Sequence, residues 1–161
     1  MLVKPLLQWE AKRISEWKYP SKYAVYSRSL ERLQPLALHF GVHDGREELI
    51  GFAALGSAAY GASVPTDTTA LDVAFALEPL RMRQGIGLEF ARTVVAFAES
   101  QATCIGTTSL RLVVEDWNLV ALETCRSMGF IPESTAGTRI VLTRPTKRVA
   151  ADALDAGYYL G

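Results

Sequence analysis

The stretch 81-RMRQGIG-87 joins a strand-like run, 69-TALDVAFAL-77, to a helix-like run that starts at about Gly85 and continues to about Ser100. Glu78-Pro79 ends the strand, because proline cannot donate to a ladder. Two glycines one residue apart at the entrance to a helix have two readings. A helix N-terminus carries free N–H groups and about half a unit of positive charge, so it binds anions. Gly85 and Gly87 would let the backbone approach a diphosphate, and Arg81 and Arg83 would add charge nearby. The plainer reading is a glycine turn that opens a core helix. G-x-G alone does not separate the two.

Upstream, residues 2–7 have the pattern of a short strand and 10-EAKRISEW-17 that of a short helix. The segment 17-WKYPSKYAVY-26 holds Trp17, Tyr19, Tyr23 and Tyr26. In 36-LALHFGV-42, Leu36, Leu38, Phe40 and Val42 alternate onto one face. Asp44-Gly45 marks a turn, and 49-LIGFAALG-56 returns, so 36–56 reads as a hairpin followed by the small-residue loop 57-SAAYGASVPTD-67. The strand before the glycines has two unlike faces: Leu71, Val73, Phe75 and Leu77 on one, Ala70, Asp72, Ala74 and Ala76 on the other.

Downstream, Glu89, Arg92 and Glu99 form a narrow polar stripe on an otherwise apolar helix, which is therefore mostly buried. The segment 109-SLRLVVE-115 is a strand, and Asn118 to Met128 a second helix with Ala121, Cys125 and Met128 inward. Gly129 suits a left-handed helix end, with Phe130 as its hydrophobic partner. The run 139-RIVLT-143 closes the sheet. The element order predicts an α/β fold, a mixed sheet flanked by helices.

At 161 residues the chain is one ordinary domain, and nearly half of it is hydrophobic. The domain is expected over 1–145, with 146-TKRVAADALDAGYYLG-161 as a separate tail, helical or flexible. No apolar run approaches a membrane span, and the N-terminus has no signal-peptide pattern, so a cytosolic protein without a membrane partner is expected. Lys plus Arg equals Asp plus Glu, 17 each, which gives no global field for nucleic acid. Cys104 and Cys125 read as reduced thiols, and two histidines without a Cys/His cluster argue against a metal. A Rossmann fingerprint fails, because Phe90 stands where the third glycine belongs and no acid follows at the required distance. A P-loop is absent.

The segment 77-LEPLRMRQGIGLEF-90 resembles motif A of the GNAT superfamily of acyl-CoA-dependent N-acyltransferases, with Met82, Arg83, Gln84, Gly85, Ile86 and Gly87 on the six positions of Q/R-x-x-G-x-G/A. The segment 118-NLVALETCRSMGF-130 is similar to motif B, matching at Asn118, Ala121, Gly129 and Phe130. The resemblance spans about residues 2–143. It implies a GNAT-type, mostly antiparallel central sheet and acetyl-CoA as co-substrate, with its diphosphate over residues 82–87. It also implies a backbone N–H near Leu77 as oxyanion donor, and Asn118 contacting the pantetheine arm or ordering the splayed strands. Two positions depart from the pattern: Met82, where Gln or Arg is usual, and Cys125, where a tyrosine is usual and in many relatives donates a proton to the leaving thiolate. Cys125 reads as packed core, and a thiol donor is the other reading.

Direct attack by an amine needs a neutral nucleophile. A lysine-like amine is about one part in a thousand neutral at pH 7, so a general base helps. Asp72, the one acid inside its strand and on the face of small residues, is the candidate. A buried structural aspartate is the equal alternative. Asp116 fits a helix N-cap, and Asn118 fits one too. The aromatic run 17–26 is either an acceptor wall or plain core, and His39 is assigned no chemistry. The expected function is transfer of acetyl to a primary amine, on a small molecule or a peptide. The alternative is a non-catalytic CoA-binding module. The apolar end 157-GYYLG-161 offers a surface for a homodimer, which the sequence does not decide.

Overall fold

The computed structural model describes residues 1–30, 33–60 and 64–147. The elements are β1 (Leu2–Pro5), α1 (Gln8–Ser15), α2 (Val25–Ser29), β2 (His39–His43), β3 (Leu49–Leu55), α3 (Ser57–Tyr60), β4 (Ala70–Leu77), α4 (Gly87–Ile105), β5 (Ser109–Glu115), α5 (Leu119–Ser127), β6 (Ile131–Ala136) and β7 (Arg139–Pro145). The strands form one seven-stranded sheet in the order β1-β2-β3-β4-β5-β7-β6. All neighbours are antiparallel except β4 and β5.

The two faces of β4 separate two apolar layers. Leu71 and Val73 are buried in a cluster with Phe90, Val94 and Ala98 of α4 and Leu122 and Cys125 of α5, and Phe75 and Leu77 pack against it. Ala76, on the opposite face, packs with Ile14, Trp17, Tyr19, Leu30 and Phe52. Helices thus cover both faces, and every residue of β3 is buried. At Gly51 the sheet meets α4 directly through Phe90. A β-carbon there would lie 2.3 Å from the Phe90 ring.

The helix ends follow backbone rules. Gly106 ends α4 in a left-handed conformation at φ +79°, and its N–H bonds Ala102 O. Gly129 does the same after α5 at φ +87°, while the Phe130 N–H reaches Cys125 O at 3.1 Å.

Several expectations are corrected. The run 139–143 does not close the sheet: β7 reaches Pro145 and lies between β5 and β6, and 131-IPESTA-136 is the edge strand. Its polar composition hides it, yet Pro132 and exposed side chains suit an edge. The strand expected over 36–42 begins at His39, after a 3-10 turn at Leu36–Leu38. α4 runs five residues past Ser100, to Ile105. Glu99 is not on the solvent stripe: it is buried and accepts from Arg144 at 3.3 Å and from the Lys147 N–H at 2.8 Å. The greater part of the expected tail, 148–161, lies outside the described residues.

Candidate active site

The register between β4 and β5 holds for three rungs, Ala70↔Ser109, Leu71↔Leu110 and Asp72↔Arg111, and then stops. Both strands continue, to Leu77 and Glu115. In a strand, alternate residues present their backbone groups to opposite neighbours. Glu78 donates to Ile50 O at 2.7 Å and Asp72 accepts from Gly56 at 2.8 Å, so the even residues of β4 serve β3. Val73, Phe75 and Leu77 therefore face β5 across the gap. On β5 the Ser109 N–H reaches Thr69 O at 3.3 Å, so Ser109, Arg111, Val113 and Glu115 face β4.

Two phenols enter this gap. The Tyr60 hydroxyl donates to Val73 O and accepts from the Val113 N–H at 2.9 Å. It makes the rung that the strands no longer make themselves. The Tyr19 hydroxyl donates to Leu77 O at 2.7 Å. Burial, then the charge of Glu78, raises the Tyr19 phenol above its ordinary range. Burial is also the first cause that raises Tyr60. Tyr60 belongs to 57–67, which reads in the sequence as a small-residue loop with no expected role. Its signal is a lone aromatic among alanines after a strand.

Asp72 stands at the last closed rung. Arg111 holds it at both oxygens, Nε to Oδ1 at 2.5 Å and Nη2 to Oδ2 at 2.9 Å, and also donates to Pro65 O at 2.8 Å. Asp72 is thus one half of an ion pair whose other half, Arg111, is buried. The hydrogen bonds to Asp72 raise the Arg111 guanidinium further above its usual value. Each carboxylate oxygen keeps lone-pair capacity for one more donor.

Beyond Leu77, a 3-10 turn at Pro79–Arg81 leads into the loop before α4. Arg83 has φ +61° and Gly85 φ +77°. The N-terminus of α4 has no side-chain cap, so its first-turn N–H groups lack a side-chain partner. Gly87 has an ordinary φ, and a β-carbon built on it meets nothing within 4 Å. Neither backbone angle nor packing of the described chain requires glycine there, whereas a ligand lying over the helix end would. Arg81 does not contribute free charge: it pairs with Glu48 at 2.6 Å and with Glu78 at 3.4 Å. Arg83 is exposed, and Gln84 turns back to Leu80 O at 2.8 Å. The side chain of Met82 packs on the Trp17–Tyr19 cluster, which explains why the position tolerates an apolar residue. Ile86 is the residue that precedes the first helical turn.

Asn118, not Asp116, caps α5, accepting from Ala121 N at 3.2 Å. Its amide also donates to the Tyr26 hydroxyl at 3.1 Å. Of the four early aromatics, Trp17 and Tyr19 are core, while Tyr23 and Tyr26 are half-buried and lie against Trp117, with centroids 5.6 and 5.8 Å away. The Lys22 ammonium sits 5.4 Å from the Trp117 ring centroid. Trp117 was not foreseen. Cys125 is buried, and burial pushes its thiol up to about 11. Cys104 is exposed, and both thiols are free. His39 is a satisfied core residue whose Nδ1 lies 2.8 Å from Pro35 O.

A cavity of about 300 Å³ lined by Arg92, Glu99, Met128, Arg144 and Lys147 contains none of these residues. Among the described residues no group of three or more His, Cys, Asp or Glu side chains is placed to hold a metal, and no helix is long and apolar enough to cross a membrane.

No protein-family profile and no curated protein sequence matches the chain. Solved structures do. A chimera of the Vibrio cholerae spermidine N-acetyltransferase and a human counterpart segment aligns with 94% of this chain and 99% of its own, at TM-score 0.64 and 12% identity. The PaiA N-acetyltransferase of Thermoplasma acidophilum, solved in complex with coenzyme A, aligns with 89% of this chain and 98% of its own, at TM-score 0.62 and 18% identity. A GNAT-family acetyltransferase from Bacillus anthracis aligns with 90% of this chain and 94% of its own, at TM-score 0.64 and 10% identity. The chain has the GNAT acetyltransferase fold. At these identities the likeness is one of fold.

Proposed function

We propose that this protein transfers the acetyl group of acetyl-CoA to a primary amine, on a small molecule or a peptide. The observation that carries the reading is the seam between β4 and β5, which stops pairing at Asp72↔Arg111 and opens toward an uncapped helix N-terminus. An extended arm with amide groups needs backbone partners, and Phe75 and Leu77 turn theirs into the gap. A diphosphate needs N–H donors and space without β-carbons, and Gly85 to Gly87 supply both. The likeness to a fold seen with coenzyme A supports the same placement.

In this reading residues 82–87 hold the diphosphate largely through backbone groups, with Arg83 as an exposed cation beside it. The N–H of Leu77 or of Phe75 receives the developing oxyanion, since both face the gap. The neutral amine attacks the thioester carbon, the N–C bond forms, and the C–S bond breaks with its electron pair on sulfur. Asp72 takes the amine proton, and Arg111 fixes its direction. Tyr23, Tyr26 and Trp117 wall the approach of the acceptor, where half-buried rings suit a cationic amine. The protein works in the cytosol on this reading, and a homodimer built on the tail remains part of it.

The test is release of CoA from acetyl-CoA with a panel of amines, including spermidine, lysine side chains and peptide α-amines. Turnover of any amine supports acetyl transfer. A thermal shift with CoA and no turnover across the panel would favour a binding module, which the apolar Cys125 position makes the second reading. No thermal shift and no calorimetric signal at millimolar CoA would end both.

A further inference from the structure

The gap between β4 and β5 has an order along its length. An extended chain that leaves residues 82–87 and runs between the strands meets the backbone groups of Leu77 first and of Phe75 next. The following rung, Val73 to Val113, is already filled by the Tyr60 hydroxyl. The far end of the chain therefore stops at a phenol. For an acyl-CoA that far end is the thioester.

We propose that Tyr60 is the hydrogen-bond donor to the leaving sulfur, an assignment that rests on the acetyl-transfer reading above. Three features favour it. The hydroxyl has one proton, held by Val73 O, and that proton can rotate to a second acceptor while Val113 continues to donate to the oxygen. The hydroxyl lies between the two strands, and desolvation there raises the phenol further above its ordinary range, so the donor persists across the working pH range. Cys125, where the family pattern carries a tyrosine, lies within electrostatic reach of the phenol, so the hydroxyl stands near the place of the missing one. The Cys125 thiol itself is the weaker candidate, since S–H is a poor donor.

The step balances without an added reagent. The amine nitrogen bonds the carbonyl carbon, the C–S pair moves to sulfur, and the amine proton leaves to Asp72 or to solvent. The thiolate is stabilised by the Tyr60 O–H, which keeps its proton, and sulfur is protonated from solvent as CoA departs. Charge-assisted hydrogen bonds are the strong ones, so the contact gains strength as the bond to carbon breaks.

The experiment compares binding of CoA and of desulfo-CoA, which lacks only the sulfur, to the wild type and to Tyr60→Phe by calorimetry. Loss of the strand rung in Tyr60→Phe affects both ligands alike, so the difference isolates the sulfur contact. The expected result is that Tyr60→Phe lowers CoA affinity roughly three- to tenfold more than it lowers desulfo-CoA affinity, together with a lower kcat at unchanged KM for acetyl-CoA. Equal losses for both ligands, or none, would make Tyr60 a strut between strands and overturn the proposal. If Tyr60→Phe does not fold, the wild type decides: CoA must bind more tightly than desulfo-CoA by a similar factor, and equal affinities overturn it. A wild type that binds neither ligand removes the acetyl-transfer reading and this assignment with it.

Discussion

In the first half of the β4–β5 seam, Ala70, Leu71 and Asp72 lie in register with Ser109, Leu110 and Arg111, and the last rung carries a doubly bonded ion pair. In the second half the strands no longer pair directly, and the carbonyls of Val73 and Leu77 are taken by phenols from outside the sheet. The same two strands thus have a half completed by the sheet and a half completed by side chains. A backbone group satisfied by a rotatable hydroxyl gives way to a ligand at small cost, whereas a ladder bond does not. The closed half sets the position of the open one, and the ion pair is the clasp between them.

Breaking the clasp should give the largest effect. In Asp72→Asn the Arg111 guanidinium stays buried with a weakened partner, and removal of one member of such a pair costs about 3–5 kcal/mol. Denaturant unfolding should show it. The double variant Asp72→Asn/Arg111→Met should recover most of that stability. If Asp72 also serves as base, turnover of the double variant stays low at neutral pH and climbs toward the wild type as the amine deprotonates unaided. Recovery of turnover together with stability would confine Asp72 to the clasp.

The open half is sharpened by Gly87→Val. A β-carbon there has free space and an ordinary φ, and valine is no poorer a helix former than glycine, so the fold should survive with stability within about 1 kcal/mol of the wild type. The stabilisation by CoA, ~2.7 kcal/mol at a hundredfold excess over the wild-type Kd, should vanish in a thermal-shift assay. Gly85→Val is a poorer probe, because φ +77° strains any branched residue whether or not a ligand binds. A folded Gly87→Val protein with wild-type CoA affinity would refute the cradle.

Much of the closed half was legible in the sequence, and much of the open half was not. Strand periodicity gave 109–115 as it stands and 69–77 to within a residue, because alternation survives in a buried strand. Gly129 and Gly85 announced themselves through backbone rules, since both hold the left-handed φ that glycine favours. The Asp72–Arg111 pair joins residues 39 apart, and nothing local in 109-SLRLVVE-115 says where Arg111 points. Arg81 looked like a phosphate ligand because Glu48, its partner, lies 33 residues away. Tyr60 and Trp117 were hidden for a different reason: their elements are too short to carry a periodic signal, and only tertiary pairing gives them a role. The edge strand 131–136 was missed because its exposed side chains have no apolar face to report.

A smaller effect separates Cys125 from the chemistry. Its folded thiol is raised from near 9 to about 11 by burial. A group raised in the folded state contributes stability that is full below the unfolded value and lost as pH rises through the folded one. The wild type should therefore lose about 2 kcal/mol relative to Cys125→Ala between pH 9 and 11. At neutral pH the variant should show a modest packing loss and turnover within a few-fold of wild type. A hundredfold fall in turnover with the fold intact would make the thiol a proton donor and count against Tyr60.

The smallest expected effect carries opposite signs in two assays. Arg83 holds a left-handed φ of +61°, a conformation that costs a side-chain-bearing residue about 1 kcal/mol or more. Arg83→Gly removes that strain but widens the unfolded ensemble by a comparable amount, so the net gain in stability should be under ~1 kcal/mol. The same change removes an exposed cation from the diphosphate loop, so CoA affinity should fall a few-fold, with a shallower dependence on salt. Strain kept at an exposed arginine makes sense only if the side chain does something in that conformation. If Arg83→Gly raises the melting temperature and leaves CoA affinity and its salt dependence unchanged, the arginine has no part in anion binding, and the loop relies on its backbone N–H groups alone.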